Sequence, residues 1–452
     1  MRVLVLIDGE HYSPVTRSGI DAVRDEGDEV VAALLLGGTE KLREARGDEA
    51  PELDVGVPVR AAAGDPVAAL SEAIDAERPD AVVDLSDEPV LGYRERMHLA
   101  SVALARGVVY RGADFRLEPP WTEPALDVAT VAVIGTGKRT GKTAIAGEVA
   151  RIAKAAGLAP VIVAMGRGGP PEPQVAEAGS VDAATLLELA RAGRHAASDY
   201  LEDAITTGVP TVGANRCGGG LAGRPYVSNV GAAARLAAAM RPGIVILEGS
   251  GSAVPPVPWD AGILVAPTSL PEEYLGGYLG PFRLLLSDLA VFTMMGSLDT
   301  GPETLPALRS HAKRIRPDVR LSVTDLEPIP LQDVRGRTVF FTTTAPEGVA
   351  AKQAERLTTT GCRVVGWSAH LADRKRLEED MDKAERYDVL LTELKAAAVD
   401  VAAERAVARG AEIVVVDNRP TDPALAGLVT ETLELARNRH ESRAPQATSK
   451  ER

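Results

Sequence analysis

Three observations predict an α/β architecture built on parallel sheets. The apolar run 128–134 leads into Gly135-Thr136-Gly137-Lys138-Arg139-Thr140-Gly141-Lys142-Thr143 and then into an Ala-rich helical pattern from Ala144. Short β-rich runs alternate with helical patterns on both sides of that stretch, which is the pattern of strand–helix–strand units. The stiff Glu118-Pro119-Pro120-Trp121 breaks the alternation once and reads as a linker. The predicted layout is a P-loop nucleotide-binding domain with a parallel sheet, 125–300. It is flanked by an N-terminal Rossmann-like α/β domain, 1–124, and a C-terminal α/β region, 301–436. The polar tail 437–452 is expected to be disordered.

In the first domain, strands are predicted at 3–7, 29–36, 81–85 and 108–110, with helices at 16–26, 67–77 and 95–106. No G-x-G-x-x-G follows the first strand; Asp8-Gly9-Glu10-His11-Tyr12 does. Loops at the carboxyl ends of parallel strands form the ligand crevice. Asp8, Glu10 and His11 are therefore either site residues or residues that cap a helix and face water. The same two readings hold for 84–88 and for Arg111.

The second domain opens on the stretch described above. Small residues let backbone N–H groups turn toward phosphates, and the following helix offers its positive end. Lys142 is placed to reach the β/γ-phosphates and the Thr143 hydroxyl to ligate Mg²⁺. Thr136 stands where G-x-x-x-x-G-K-[ST] expects glycine, with Gly135 and Gly137 beside it. The predicted nucleotide contacts are Gly135, Thr136, Gly137, Thr140, Gly141, Lys142 and Thr143. The strand 161–164 ends in a Gly- and Pro-rich loop through Pro171, either a lid or an ordinary surface loop. After a helix at 198–207 and a strand at 211–214, Gly218, Gly219 and Gly220 lie between Arg216 and Arg224. They form either an anion site or a glycine turn with solvated arginines. The strand 244–247 ends in Glu248, the expected position of a carboxylate for Mg²⁺. Further strands at 263–266 and 289–294 bracket an irregular helix over 274–286.

The final part alternates again, with strands at 319–323, 339–342, 364–367, 389–392 and 413–416. A charged helix over 372–386 reads as a solvated face. Residues 392–395 and 417–420 fall just past strand ends, on the crevice side. No repeat of fixed period occurs.

The 452 residues leave room for two to four domains. Aromatics make up 4%, so Ala, Val, Leu and Ile must build the cores. A net charge of −14 argues against general binding to nucleic acid or anionic membranes, although local Lys/Arg clusters can still hold an anion. Cys217 and Cys362, the two cysteines, suggest neither a zinc site nor a disulfide framework. The apolar start 1–7 is too short for a signal peptide, and no segment reaches the roughly 20 apolar residues that span a bilayer. A cytoplasmic protein is expected.

Gly135-Thr136 with Gly141-Lys142-Thr143, and Glu248-Gly249-Ser250-Gly251 on a later strand, resemble the phosphate and acidic loops of dethiobiotin synthetase-type P-loop enzymes. Over nearly its full length the chain resembles the cyclic 2,3-diphosphoglycerate synthetase family. That likeness rests on residues 8–12, 135–143, 215–220, 249–256 and 392–400. The resemblance implies that ATP, with Mg²⁺, closes the two phosphates of 2,3-diphosphoglycerate into an intramolecular phosphoanhydride, releasing ADP and phosphate. Lys142, Lys138 and Arg139 are then the catalytic candidates, and Thr143 and Glu248 the metal ligands. Candidates for substrate are Asp8, His11, Arg167, Arg216, Gly218, Gly219, Gly220, Arg224 and Lys395, with Asn418 placed at the adenine. Three alternatives stand beside this reading: a 2-phosphoglycerate kinase, a carboxylate-activating ligase of the dethiobiotin type, and a P-loop switch or metallochaperone. The expected partner is a small phosphorylated acid, without nucleic acid or membrane, and with a homodimer left open.

Overall fold

Strands that run apolar without alternation need cover on both faces, and the computed structural model contains three sheets built from such strands. It describes residues 1–38, 54–62, 64–193, 196–293, 304–396 and 398–443. Met294, the expected boundary at 300/301, Ala397 and the tail from 444 onward lie outside the described residues. The chain gathers into two units. One comprises Met1–Pro120, Pro271–Leu286 and Ser310–Pro317; the other comprises Trp121–Leu270, Ser287–Arg309 and Asp318–Arg452.

The first unit is a six-stranded sheet of β1 (Arg2–Ile7), β2 (Glu29–Leu35), β3 (Val59–Ala61), β4 (Ala81–Asp84), β5 (Val109–Arg111) and β6 (Arg116–Leu117). Its order is β3-β2-β1-β4-β5-β6, parallel except for the antiparallel β6. The first five follow the doubly wound order, whose switch point lies between β1 and β4. Pro271–Leu286, expected among the nucleotide-domain residues, groups instead with this unit. It forms two short helices, Glu273–Gly276 and Gly280–Leu285, and the second packs on the helix Tyr93–Ala105. Leu275 and Phe282 have no exposure, so an apolar face decides the grouping over sequence order.

The second unit holds two sheets. The larger contains β7 (Thr130–Gly135), β8 (Pro160–Gly166), β9 (Gln174–Ala176), β10 (Thr211–Cys217), β11 (Val227–Ser228), β12 (Ile244–Glu248), β13 (Ala261–Pro267), β14 (Leu289–Thr293) and β15 (Arg320–Thr324). Its order is β11-β10-β8-β12-β7-β13-β14-β15, with β9 beside β10. All six residues of β7 are buried, as a central strand of a two-sided sheet requires. The strand β15, expected to open the C-terminal region, instead pairs in parallel with β14.

The smaller sheet contains β16 (Leu326–Pro330), β17 (Thr338–Thr342), β18 (Arg363–Ser368), β19 (Val389–Thr392) and β20 (Glu412–Pro420), in the order β16-β20-β19-β17-β18. β16 runs antiparallel to β20, and the other pairs are parallel.

The polar C-terminus departs from expectation. The helix Leu425–Arg443 continues past residue 437 because two arginines anchor its last turns. Arg439 donates 2.9 Å bonds to both carboxylate oxygens of buried Asp288 and one to the Asp260 carbonyl, and Arg443 reaches the Leu126 carbonyl. Arg439→Ala removes two charge-assisted bonds and is expected to cost about 1–3 kcal/mol. Chemical denaturation would read that loss, with ATP binding unchanged.

Candidate active site

The strand order places the loop after β7 at the point where the neighbours of β7 diverge, β12 on one side and β13 on the other. Gly135 is required there. A Cβ on it would lie 2.8 Å from Lys142 Cδ and 2.9 Å from Thr140 Oγ1. Gly141, at φ 89°, turns the chain into the helix Lys142–Ala155. Lys142 bends back so that Nζ donates to the Gly137 carbonyl at 2.7 Å and to Thr140 Oγ1 at 3.3 Å. Burial pulls its ammonium down to about 8, against the opposing pull of Glu248. The Thr140 carbonyl accepts from Thr293 Oγ1 at 2.7 Å, which ties the loop to β14. Thr136 Oγ1 is buried without a hydrogen-bond partner.

Beside the loop, Thr143 Oγ1 donates to Glu248 Oε1 at 2.8 Å. This joins the two residues expected at the metal. Glu248 lies at the end of β12, in register with Val133 of β7. Burial raises its carboxyl to about 7.

A group of acids that the sequence reading missed faces this pair from the helix Asp199–Thr207. Asp199, Glu202 and Asp203 are spaced i, i+3, i+4, which puts them on one helix face. Asp203 has no exposure and Glu202 has 7%. Burial raises both carboxyls, Asp203 well above its ordinary range. The i, i+3, i+4 spacing of acids was the available signal, but an acidic stripe usually faces water.

Lys395, expected at the substrate, lies 3.4 Å from Glu202 Oε1, and Glu202 and Glu393 hold its ammonium above the usual range. This cation is therefore already matched to carboxylates. Asn418 donates Nδ2 to Glu393 Oε1 at 2.9 Å, while its Oδ1 is buried with no partner. Glu393 also accepts from Thr343 Oγ1 and from the N–H and hydroxyl of Thr344. Burial alone would raise it, but Lys395 and these donors bring it down.

Two guanidiniums converge over Gly251, with the stem of Lys138 beside them. A Cβ on Gly251 would lie 3.0 Å from Arg167 Nη2, 3.2 Å from Arg216 Nη2 and 4.0 Å from Lys138 Cγ. Arg216 donates to the carbonyls of Ser250 and Gly218, both at 2.8 Å, and its Nε is buried without a partner. Burial and the neighbouring Arg167 both push its guanidinium down. Among the described residues, Lys138, Arg167 and Arg216 form no ion pair. Like charges gathered without an ion pair, with Asp199 only partly offsetting the charge of Arg216, mark a candidate place for an anion.

The other candidates are placed differently. Arg139 is exposed at φ 57° in the turn of the loop. In the Gly218–Gly220 turn, expected to be either an anion site or a glycine turn, one of the three N–H groups is used within the turn. The Gly220 N–H donates to the Arg224 carbonyl, and the Gly218 carbonyl, an acceptor, is turned onto Arg216. Arg224 is exposed on the same turn. The Gly166–Pro171 loop is tethered rather than loose. Asn215 and Asn229 both donate to the Pro170 carbonyl, and a Cβ on Gly169 would sit 1.9 Å from the Ala214 oxygen.

In the first unit, Asp8, expected among the substrate ligands, makes several bonds within the protein. Its Oδ1 accepts from the Glu10 and His11 N–H groups and contacts His11 Nδ1 at 2.8 Å, while Oδ2 accepts from the Asp87 N–H. These bonds knit the loops after β1 and β4 together. The His11 ring is oriented by that contact, and its Nε2 makes no hydrogen bond with a described residue.

Known proteins resemble the chain over most of its length. Family models for the N-terminal, P-loop and C-terminal domains of cyclic 2,3-diphosphoglycerate synthetase match residues 2–118, 130–325 and 330–419. The curated synthetase of that name from Rubrobacter xylanophilus is 46% identical over 441 residues, 97% of each chain. This chain belongs to the cyclic 2,3-diphosphoglycerate synthetase family. The synthetase from Methanothermobacter thermautotrophicus is 40% identical over 92% of each chain, and that from Thermococcus kodakarensis is 40% identical over 97% of this chain and 98% of its own. The P-loop domain makes this synthetase-family chain a nucleotide-binding α/β protein. Among its described residues, no helix is long and apolar enough to cross a membrane.

Proposed function

We propose that this chain is an ATP-dependent ligase that closes 2,3-diphosphoglycerate into its cyclic phosphoanhydride, releasing ADP and phosphate. The observation that carries the reading is the unpaired cation group Lys138–Arg167–Arg216 beside the nucleotide loop. A kinase or ligase acting on a single small anion needs no second cluster of this strength. Like charges 4 Å apart at an effective dielectric near 20 repel by about 4 kcal/mol per unit pair. A bisphosphate approaching a triphosphate therefore demands cations on its own side.

In this reading Lys142 holds the β/γ-phosphates, and the loop N–H groups carry the rest of the triphosphate. A phosphate oxygen of the substrate attacks the γ-phosphorus, the bond to ADP breaks, and a P–O–P link forms. The second substrate phosphate then attacks the inner phosphorus of that link, and inorganic phosphate leaves. Lys138, Arg167 and Arg216 hold both substrate phosphates, so ring closure becomes an intramolecular step. Glu248 Oε2 is a buried orphan and Thr143 supplies a hydroxyl, a hard-oxygen donor pair that fits Mg²⁺. When bound, that ion would neutralise charge on the β/γ-phosphate oxygens. Asn418 Oδ1, an unpartnered acceptor, suits an amino group such as that of adenine. The test is ³¹P NMR with ATP and 2,3-diphosphoglycerate. A cyclic anhydride with stoichiometric phosphate release is expected, whereas stable phosphoryl transfer to an added 2-phosphoglycerate would replace this reading with a kinase.

Gly251 supplies a sharper expectation. At φ 61° and with two guanidiniums within 3.2 Å of its missing Cβ, Gly251→Ala displaces the cation pair. The KM for 2,3-diphosphoglycerate should rise about 10–100-fold while the KM for ATP holds, because misplacement by about 1 Å costs that much.

A further inference from the structure

Asp203 is buried more completely than any function so far explains. It has no exposure, and neither carboxylate oxygen finds a hydrogen-bond donor. Its carboxyl interacts directly with that of Glu248, whose Oε2 is likewise orphaned. The two carboxyls face each other closely enough to share a proton, and no other donor among the described residues reaches these three buried oxygens, although buried carboxylates are costly unless paired.

The surroundings do not supply the missing partner. Lys395 lies against Glu202, the neighbour of Asp203 on the same helix. Lys142 Nζ is turned onto the Gly137 carbonyl and Thr140. The hydroxyls of Thr206 and Thr207 donate to backbone carbonyls of their own helix. Tyr200, three residues before Asp203 on the same face, donates its hydroxyl to Gln174. Among the described residues, the hydroxyl that donates to the pair is that of Thr143, and it occupies Glu248 Oε1.

We infer that Asp203 is a second carboxylate of the divalent-cation site, holding the ion directly or through one of its waters. An all-oxygen set of two carboxylates and a hydroxyl, without imidazole or thiolate, selects a hard ion such as Mg²⁺ or Mn²⁺. Two carboxylates also balance a dication before the nucleotide arrives. The ion would then be held by the helix Asp199–Thr207 as well as by β12, so loading the site stiffens the join between helix and sheet. This inference rests on the reading of Thr143 and Glu248 as metal ligands.

The test uses the full chain with Mn²⁺ alone as the probe, read by electron paramagnetic resonance, and thermal melting in EDTA. Asp203→Asn keeps shape and removes charge. It is expected to weaken Mn²⁺ binding at least roughly 10-fold and to melt higher than the parent in EDTA, because the uncompensated pair is gone. Metal-free ADP affinity should be unchanged. Asp203→Ser serves as a second variant of different size and should weaken Mn²⁺ binding in the same direction. A variant that melts lower in EDTA yet binds Mn²⁺ normally would show a purely structural aspartate and overturn the inference. Glu248→Gln separates the two levels. If it loses Mn²⁺ while Asp203→Asn does not, only the inference fails. If neither loses it, the metal reading of Thr143 and Glu248 fails as well.

Discussion

Lys142→Ala is expected to abolish cyclic anhydride formation, by on the order of 10³-fold or more, while leaving a folded protein. The buried ammonium is held by one carbonyl and one hydroxyl inside its own loop. Without it the loop loses a cation aimed at the site where charge gathers on the transferring phosphoryl. Removal also relieves the burial that pulls this ammonium down to about 8, so the melting temperature should change little. Lys142→Met, which preserves the aliphatic stem against Gly135, should be equally inactive. ³¹P NMR gives the rate and circular dichroism the fold. Substantial ATP-dependent turnover in either variant would remove the P-loop from the chemistry.

Replacing Arg167 and Arg216 together by alanine should raise the KM for 2,3-diphosphoglycerate by several hundred-fold or more. A charge-assisted hydrogen bond contributes about 1.5–3 kcal/mol, and the two guanidiniums converge on one place above Gly251. Because they share that place, the single replacements should not add, and each should cost more than half of the double. Stability is expected to fall slightly, since Arg216 gives up its hydrogen bonds to the Gly218 and Ser250 carbonyls while only a screened repulsion is relieved. ATP affinity, measured by calorimetry without the bisphosphate, should be unaffected. A double variant that loses ATP binding but keeps its KM for the bisphosphate would move the cation group from substrate to nucleotide.

The nucleotide loop was legible in the sequence because its physics is local. Glycines that must approach a side chain, a lysine that folds back and a hydroxyl one residue on all lie within nine positions. Glu248 was legible for a related reason, as an acid closing an apolar strand. Asp199, Glu202 and Asp203 were not, since nothing in an acidic helix stripe says which side the sheet will cover. Lys395 looked like a substrate cation until the fold brought Glu202 to it from nearly two hundred residues away. Asp8 looked like a ligand, but its acceptors are used by loops that only the β1–β4 pairing brings together.

Sequence alone thus determined the classes of strand and helix, the parallel α/β plan and the phosphate loop. Each depends on periodicity or on contacts within one turn. Tertiary structure decided which charges are spent and which are left over. It matched Lys395 and Asp8 to partners within the protein, left Arg167, Arg216 and Lys138 without an ion pair among the described residues, and buried Asp203 against Glu248. The physical reason is desolvation. Burial is set by what packs from distant parts of the chain, and only burial turns a charged side chain into one that needs a ligand.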